Sequence, residues 1–365
     1  MAALHNDQLG KIAPALLDWY DENARALPWR VGPAERARGV APDPYRVWLS
    51  EVMLQQTTVA TVTPRYQRFL DRWPDVAALA AAPLDDVLGE WAGLGYYARA
   101  RNLHACASAV AARADAQFPE TVAELRALPG VGEYTGAAVA AIAFDVATPV
   151  VDGNVERVTA RLFAIDAAGG AFKKAVRAAA DAMWPDARSG DFAQALMDLG
   201  AGPCRPRTPN CGACPLTDFC AARARGTAGE LPHKAAKAKK PERVGAAFAL
   251  FDASGRGLLE RRPSDGLLGG MLGLPGTAWS EGAPSVDEAL ASAPARAEWR
   301  LAGAVSHVFT HFRLRLDVHL ASTSARTATL ADAIWLDPEE ARLPTVMRKA
   351  VACATGARDD LFAVR

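Results

Sequence analysis

No run of apolar residues in this 365-residue chain reaches the roughly 18 that a membrane span needs. The opening stretch, MAALHNDQLGKIAPALLDWY, interrupts its apolar content with Asp7 and Lys11, so it reads as an amphipathic helix and not as a secretory leader. An intracellular, cytoplasmic setting is expected, with no membrane partner. There is no excess of either charge: 41 basic residues balance 41 acidic ones. A nucleic-acid partner, if there is one, must then be held by local features and not by the field of the whole molecule. No internal repeat marks a solenoid. Cysteine is scarce, six in all, and four of the six fall between Cys204 and Cys220. In a reducing compartment that clustering argues for a metal site over a disulfide framework.

What is present suits a packed protein of two or three domains: half the residues are hydrophobic and 22% are charged. Residues 1 to about 225 read as helices. Asp43-Pro44 is a cap followed by proline at the first helical position, and helical spacing continues from Tyr45 to Thr61. Further periodic segments lie at 65–72, 84–92, 96–113, 121–128, 134–144, 153–164, 171–184 and 191–199, punctuated by Trp73-Pro74, Ala82-Pro83 and Phe118-Pro119. Residues 222–243 are polar, with a basic run of Lys234, Lys237, Lys239, Lys240 and Arg243, as a solvated linker or a phosphate-facing stretch would be. From Val244 the period drops toward two. Strands are predicted at 244–251, 257–262, 299–305, 312–320 and 333–336, with a short helix at 286–293, which describes a separate α+β domain.

Three strings carry chemistry. The first is Cys204-x6-Cys211-x2-Cys214-x5-Cys220, on a loop rich in proline; four thiolates hold either zinc or an iron–sulfur cluster, and generic chemistry does not choose between them. Cys106 and Cys353 stand apart in helical contexts and read as ordinary buried residues. The second is Leu128-Pro-Gly-Val-Gly-Glu-Tyr-Thr135, between two predicted helices. It is a simple interhelix turn or, through the turn amides of Gly130, Val131 and Gly132 and the free amides of the next helix, a phosphate cradle that needs no basic side chain. Asp152, 22 residues after Gly130, sits where a helix cap belongs. Capping is its plain role. The same position favours an ionised carboxylate facing a developing positive charge. The third string, Trp48-Leu-Ser-Glu-Val-Met-Leu-Gln-Gln-Thr57, places Glu51 on a helix among Val47, Trp48, Leu54 and Gln55. Glu51 is either a solvated surface acid or, if buried there, an acid that keeps its proton near neutrality.

The hairpin followed by Asp152 resembles the helix–hairpin–helix glycosylase superfamily. The strings Ser50 to Thr57 and Trp91-Ala-Gly-Leu-Gly-Tyr-Tyr-Ala-Arg-Ala-Arg-Asn102 resemble, nearly letter for letter, the MutY adenine glycosylases within it. The cysteine spacing matches the 4Fe–4S loop of the endonuclease III and MutY glycosylases. The resemblance implies an all-α helix–hairpin–helix core with an iron–sulfur loop and an α+β Nudix-like C-terminal domain. It divides the chain into a six-helix barrel (34–144), a cluster domain (1–33 with 145–225), a linker (226–243) and a MutT-like domain (244–365). It implies a 4Fe–4S cluster on Cys204, Cys211, Cys214 and Cys220. Glu51 would be the acid and Asp152 the stabilising carboxylate, with Tyr134 and Asn154 supporting Asp152 and the sugar. Gln55 and Tyr96, with Leu94 nearby, would fill the gap left by an extruded base; without the resemblance Tyr96 and Tyr97 would read as core.

In relatives that also cut the backbone, a lysine follows Gly-Val-Gly-x; here Tyr134 stands in its place, and a phenol forms no Schiff base. The expected activity is therefore monofunctional: hydrolytic removal of adenine paired with 8-oxoguanine, and also with guanine, from duplex DNA, by a monomer. The C-terminal match is looser. Gly266-Leu-Leu-Gly-Gly-Met-Leu-Gly-Leu-Pro-Gly276 looks like the start of a Nudix box, but the acidic remainder is missing, and Glu281, Glu288 and Glu298 are too scattered to hold divalent ions. This domain is expected to recognise and not to hydrolyse. By resemblance the reader is Phe309-Thr310-His311, where the family has Phe-Ser-His; Thr310 keeps the hydroxyl. On plain grounds the same residues could simply face outward at a strand end. A thymine or endonuclease III-like glycosylase, a non-enzymatic damage sensor and a Nudix hydrolase are the competing readings.

Overall fold

The computed structural model describes residues 6–233, 240–263, 266–324 and 333–362. Lys234, Lys237 and Lys239 of the basic run lie outside them. The chain packs as two compact units, one of residues 1–81 with 102–236, the other of residues 82–101 with 237–365.

The first unit is helical. It contains α1 (Asn6–Asn23), α2 (Pro33–Ala37), α3 (Pro44–Leu54), α4 (Val59–Arg72) and α5 (Val76–Ala81). After α6 (Leu84–Glu90) and the start of α7 (Tyr97–Ala111), which belong to the second unit, it resumes with the rest of α7. Then come α8 (Val122–Ala127), α9 (Glu133–Phe144), α10 (Gly153–Leu162), α11 (Gly169–Met183), α12 (Ser189–Ala201) and α13 (Ala221–Ala224). Helix α9 is apolar all round, and its residues from Thr135 to Ile142 are all buried, as a central helix requires. It packs against α3, α8 and α12, and α12 packs against α10. Small residues permit the close crossing: a Cβ on Gly190 would stand 2.4 Å from the Ala141 carbonyl oxygen, so Gly190→Ala would cost about 1–3 kcal/mol.

The sequence-based boundaries need one correction that bears on function. The helix predicted through Thr61 ends at Leu54. Gln55 leaves helical geometry at ψ 115°, Gln56 takes a left-handed φ of 58°, and Thr58 caps α4 by accepting from the Thr61 amide. Neither glycine nor proline marks this break, so the apolar period ran across it. The short helices α2 and α5 were also not anticipated.

The second unit is built on a six-stranded sheet ordered β3-β2-β1-β5-β4, with β6 on β2. The elements are β1 (Glu242–Asp252), β2 (Gly257–Arg261), β3 (Leu272–Gly273), α14 (Val286–Ala291), β4 (Arg300–Val308), β5 (Arg313–Thr323), β6 (Ala333–Leu336) and α15 (Thr345–Phe362). β1 and β5 run parallel, from Glu242 opposite Arg313 to Asp252 opposite Thr323. Both faces of β1 are covered. Phe248 packs with Ala289 of α14 and with Trp299, while Phe251 points the other way, under Arg358 of α15. Two-sided burial explains why 246–252 is continuously buried instead of alternating. Of helix α15 only the helical context of Cys353 was anticipated, not its bounds.

Candidate active site and nucleic-acid interface

A cleft of about 990 Å³ opens in the first unit, lined among others by Glu51, Gln55, Gly130, Gly132, Tyr134, Asp152 and Asn154. Of these, Glu51 and Asn154 lie 103 positions apart in sequence. Asp43 starts α3 by accepting from the Tyr45 and Arg46 amides, and Glu51 lies two turns along, 6% exposed. Burial pushes its carboxyl up to about 7, and the negative charge of Asp152 adds to the shift. The Tyr134 hydrogen bond and the Arg30 charge oppose it. Glu51 is therefore a buried acid and not a surface one.

Tyr134, in the first turn of α9, donates its hydroxyl to Glu51 Oε2 at 2.6 Å. The resemblance had assigned it to Asp152; its hydrogen-bond partner is instead Glu51. Asp152 caps α10. One oxygen accepts from the amides of Asn154 at 2.9 Å and Val155 at 2.7 Å, and the other accepts from Asn154 Nδ2 at 2.9 Å. Every one of these contacts is a donor. Capping and presentation to the cleft are thus the same geometry.

The hairpin is built as a tight turn. Gly130 has φ 71°, and a Cβ on it would stand 2.5 Å from Asn102 Cβ, so glycine is required on both counts. Val131 is buried, leaving its backbone as the part that can meet a ligand. Gly132 caps α9 without a side-chain acceptor. Gln55, just past α3, donates from Nε2 to Thr135 Oγ1 at 3.2 Å.

Sequence reasoning missed several cleft residues. Trp29, Arg30, Gln194 and Met197 also line it. Arg30 is held by Asp198 through two bonds of 2.6 and 2.8 Å, and Arg25 joins the same carboxylate at 2.6 Å. Their partner lies 168 residues from Arg30 in sequence, a pairing no local string discloses.

Cys204, Cys211, Cys214 and Cys220 line one depression, with Arg161 beneath them. Four thiolates around one zinc ion, at about 2.3 Å each, would be drawn to within about 4 Å of each other. Among the described residues no three His, Cys, Asp or Glu side chains gather as ligands of a single ion do. Burial pushes the Cys214 thiol up to about 12, a cost that coordination to metal as thiolate offsets. The buried Arg161, unremarked in the sequence, donates to the carbonyls of Cys204, Arg205, Pro206 and Leu231 and to Cys204 Sγ at 3.3 Å. Arg157 links the loop to the cleft, bonding the Cys204 carbonyl at 2.9 Å and Asn154 Oδ1 at 2.9 Å.

In the second unit the structure separates two residues expected to act together. Tyr96 is 42% exposed at a left-handed φ of 51°, with Arg99 over its ring. Leu94 is buried at 4%; it supports the turn and has no surface to place in a duplex. The turn between β4 and β5 exposes Thr310 and His311, and Thr310 Oγ1 bonds the Tyr96 hydroxyl. The Nudix-like string serves packing: the Gly269 carbonyl accepts from Arg101 and that of Gly270 from Arg261. Glu288 is spent in the capping box of α14 with Ser285.

Known proteins match the same divisions. Residues 49–186 match the HhH-GPD superfamily of base excision DNA repair proteins, residues 204–220 the iron–sulfur binding domain of endonuclease III, and residues 246–353 the NUDIX domain. The human adenine DNA glycosylase is 35% identical over 395 aligned residues, covering 92% of this chain and 72% of that protein. The rat enzyme is 35% identical, covering 92% and 76%. Among solved structures, a thermostable thymine-DNA glycosylase superposes with a TM-score of 0.51 at 27% identity, over 60% of this chain and 98% of that one. The helical core, the iron–sulfur loop and the Nudix-like sheet each match a known domain, and the chain belongs to the adenine DNA glycosylase family.

Proposed function

We propose that this enzyme removes adenine from duplex DNA where it is paired with 8-oxoguanine, and also with guanine, by hydrolysing the N-glycosidic bond in base excision repair. The observation that carries the reading is one cleft holding two carboxyl groups in opposite surroundings. Glu51 is buried and retains its proton to about pH 7. Asp152 is surrounded by donors at a helix N-terminus. Unlike surroundings for paired carboxyls are what acid-assisted glycoside cleavage needs.

Adenine, turned out of the stack, enters the cleft. Tyr134 fixes Glu51 through Oε2, so the other oxygen can give its proton to N7 of the base. The glycosidic electron pair leaves with the protonated adenine, and positive charge develops on the sugar. Asp152 stabilises that charge or adds to the anomeric carbon. Water then replaces the base, releasing a proton and leaving an abasic site. Asn154 holds Asp152 in place. Gly130, Val131 and Gly132 offer backbone groups to the DNA phosphates, Gln55 and Tyr96 fill space vacated by the base, and Thr310 with His311 meets the opposite base. With a phenol at Tyr134 and no amine there, the reaction stops at base removal.

Cys204, Cys211, Cys214 and Cys220 would hold a 4Fe–4S cluster, which supplies a cross-link closing the loop and a redox-capable group beside α10. No step of base removal is assigned to it.

The thymine-glycosylase reading is supported by the helical unit alone, whereas the adenine reading extends through the C-terminal domain. The test is single-turnover excision by Glu51→Gln on adenine:8-oxoguanine duplexes. Excision should fall about 100- to 10,000-fold, as loss of a general acid predicts. A near-normal rate, or equal excision of thymine by the unaltered enzyme, would overturn the proposal.

A further inference from the structure

Trp279 was singled out by neither motif nor spacing, yet it stands at the centre of a ladder of rings and guanidinium groups in the second unit. Its indole stacks on Phe309 at 5.7 Å with an interplanar angle of 29° and meets Phe312 at 6.4 Å. Phe309 and Phe312 contact each other at 4.9 Å, and His307 meets the edge of Phe309 at 4.6 Å. Arg262 lies over the indole at 5.1 Å and Arg243 over Phe312 at 4.5 Å. Stacked and cation–π contacts of this kind add to ordinary burial.

Both ends of the ladder are anchored. The Val244 amide donates to the Ser280 carbonyl at 2.7 Å and the Ser280 amide donates back at 3.1 Å, fixing the backbone beside Trp279 against β1. The indole lies flat on Gly245, where a Cβ would stand 2.6 Å from Trp279 Cδ1. At the other end, the Phe309 amide donates to the Phe312 carbonyl at 2.9 Å, and Lys240 Nζ donates to the Phe309 carbonyl at 2.8 Å. Phe312 is buried and Phe309 half-buried, while Thr310 and His311 are exposed at the tip.

We infer that Trp279 is a positioning residue for opposite-base discrimination: its stack on Phe309 and Phe312 sets the pose of the turn that carries Thr310 and His311. Phe309 is then an anchor of that turn and not a reader. The inference rests on the proposal that this turn meets the base opposite adenine. A tip held in one pose can favour a partner with an extra oxygen and an extra N–H over one without them. A tip free to move reads both alike, because the gain from each contact is offset by the ordering it requires.

The test uses the full chain carrying its cluster, with adenine opposite 8-oxoguanine or opposite guanine. Single-turnover excision gives the saturated rate and the half-saturating enzyme concentration for each duplex. In Trp279→Ala the half-saturation preference for 8-oxoguanine should fall roughly tenfold, while the saturated rate stays within about twofold. Trp279→Phe, which keeps a ring, should restore most of the preference. Gly245→Ala, which keeps the indole but displaces it, should reproduce the loss. In the DNA-free protein, Trp279→Ala should speed hydrogen exchange at the Phe309 amide while β4 and β5 stay protected. An unchanged preference in Trp279→Ala, or a proportionate loss on both duplexes, overturns the inference and leaves the glycosylase reading standing. Absence of any preference in the unaltered enzyme would instead remove the base-reading role of the turn, and this inference with it.

Discussion

The cleft of the first unit and the β4–β5 turn of the second handle polar groups in opposite ways. In the cleft, Glu51 is buried and Asp152 is satisfied by three donors, so the two carboxyls stand in unlike surroundings. At the turn, Thr310 and His311 are exposed, and they rest on aromatic residues, a buried Phe312 with half-buried Phe309 and Trp279. Proton transfer needs a group taken out of water, because desolvation is what moves the Glu51 carboxyl toward neutrality. Recognition needs groups left in water until the partner arrives, on a rigid base. The second unit retains a sheet known from hydrolases while lacking their acidic cluster. Its fold is held by the two-sided apolar packing of β1.

The largest effect that separates the regions should come from Asp152→Asn. Excision on both duplexes should fall by about a thousandfold, as for other lost electrostatic stabilisers, with the preference between them intact. A change in preference at unaltered rate would break the division. Next in size, Arg161→Met removes donors to four carbonyls and a thiol sulfur. It should destabilise the protein by more than about 3 kcal/mol, seen as a lower Tm with earlier loss of the cluster's visible absorption; an unchanged melt would mean the loop holds itself. Thr310→Ala should act in the reverse sense to Asp152→Asn. The preference for 8-oxoguanine should drop several-fold, the worth of one hydrogen bond, and the saturated rate should hold.

The smallest and sharpest effect concerns pH. Glu51 must carry a proton, so single-turnover excision should decline as pH rises through about 7. The Tyr134 hydrogen bond holds the Glu51 carboxyl lower than burial alone would. Tyr134→Phe should therefore move the declining limb to higher pH, whereas Thr310→Ala should leave it in place. A limb that moves to lower pH in Tyr134→Phe would contradict the assignment of Glu51 as the acid.

The features legible in the sequence were those specified within a dozen or so residues. The hairpin glycines, the cap at Asp152 and the cysteine spacing each state a local geometry, and most helix positions follow from a local period. Residues that act at a distance were not legible. Arg161 reads as one more polar residue of α10, and its role depends on carbonyls of a loop more than 40 positions away. Tyr134 was placed in the site, but its hydrogen bond to Glu51 was not foreseen, because that pairing spans 83 residues. The parallel pairing of β1 with β5 is set by the packing of the whole sheet. Helix α15 was read only around Cys353, and its bounds escaped because its apolar positions are diluted by alanine, threonine and glycine. The break after Leu54 escaped because glutamine can leave a helix without announcing it.

Glu51 also bears on endurance. An unfolded glutamate ionises near its ordinary value of 4.5, while the folded one waits until about 7. Between those points the denatured chain gains charge and hydration that the native helix α3 refuses, so native stability is lost as pH rises through that window. A neutral side chain of similar shape there should melt at a higher temperature near neutral pH. A fold shaped for heat resistance alone would have no use for this glutamate; at this position the molecule tolerates fragility in return for reactivity.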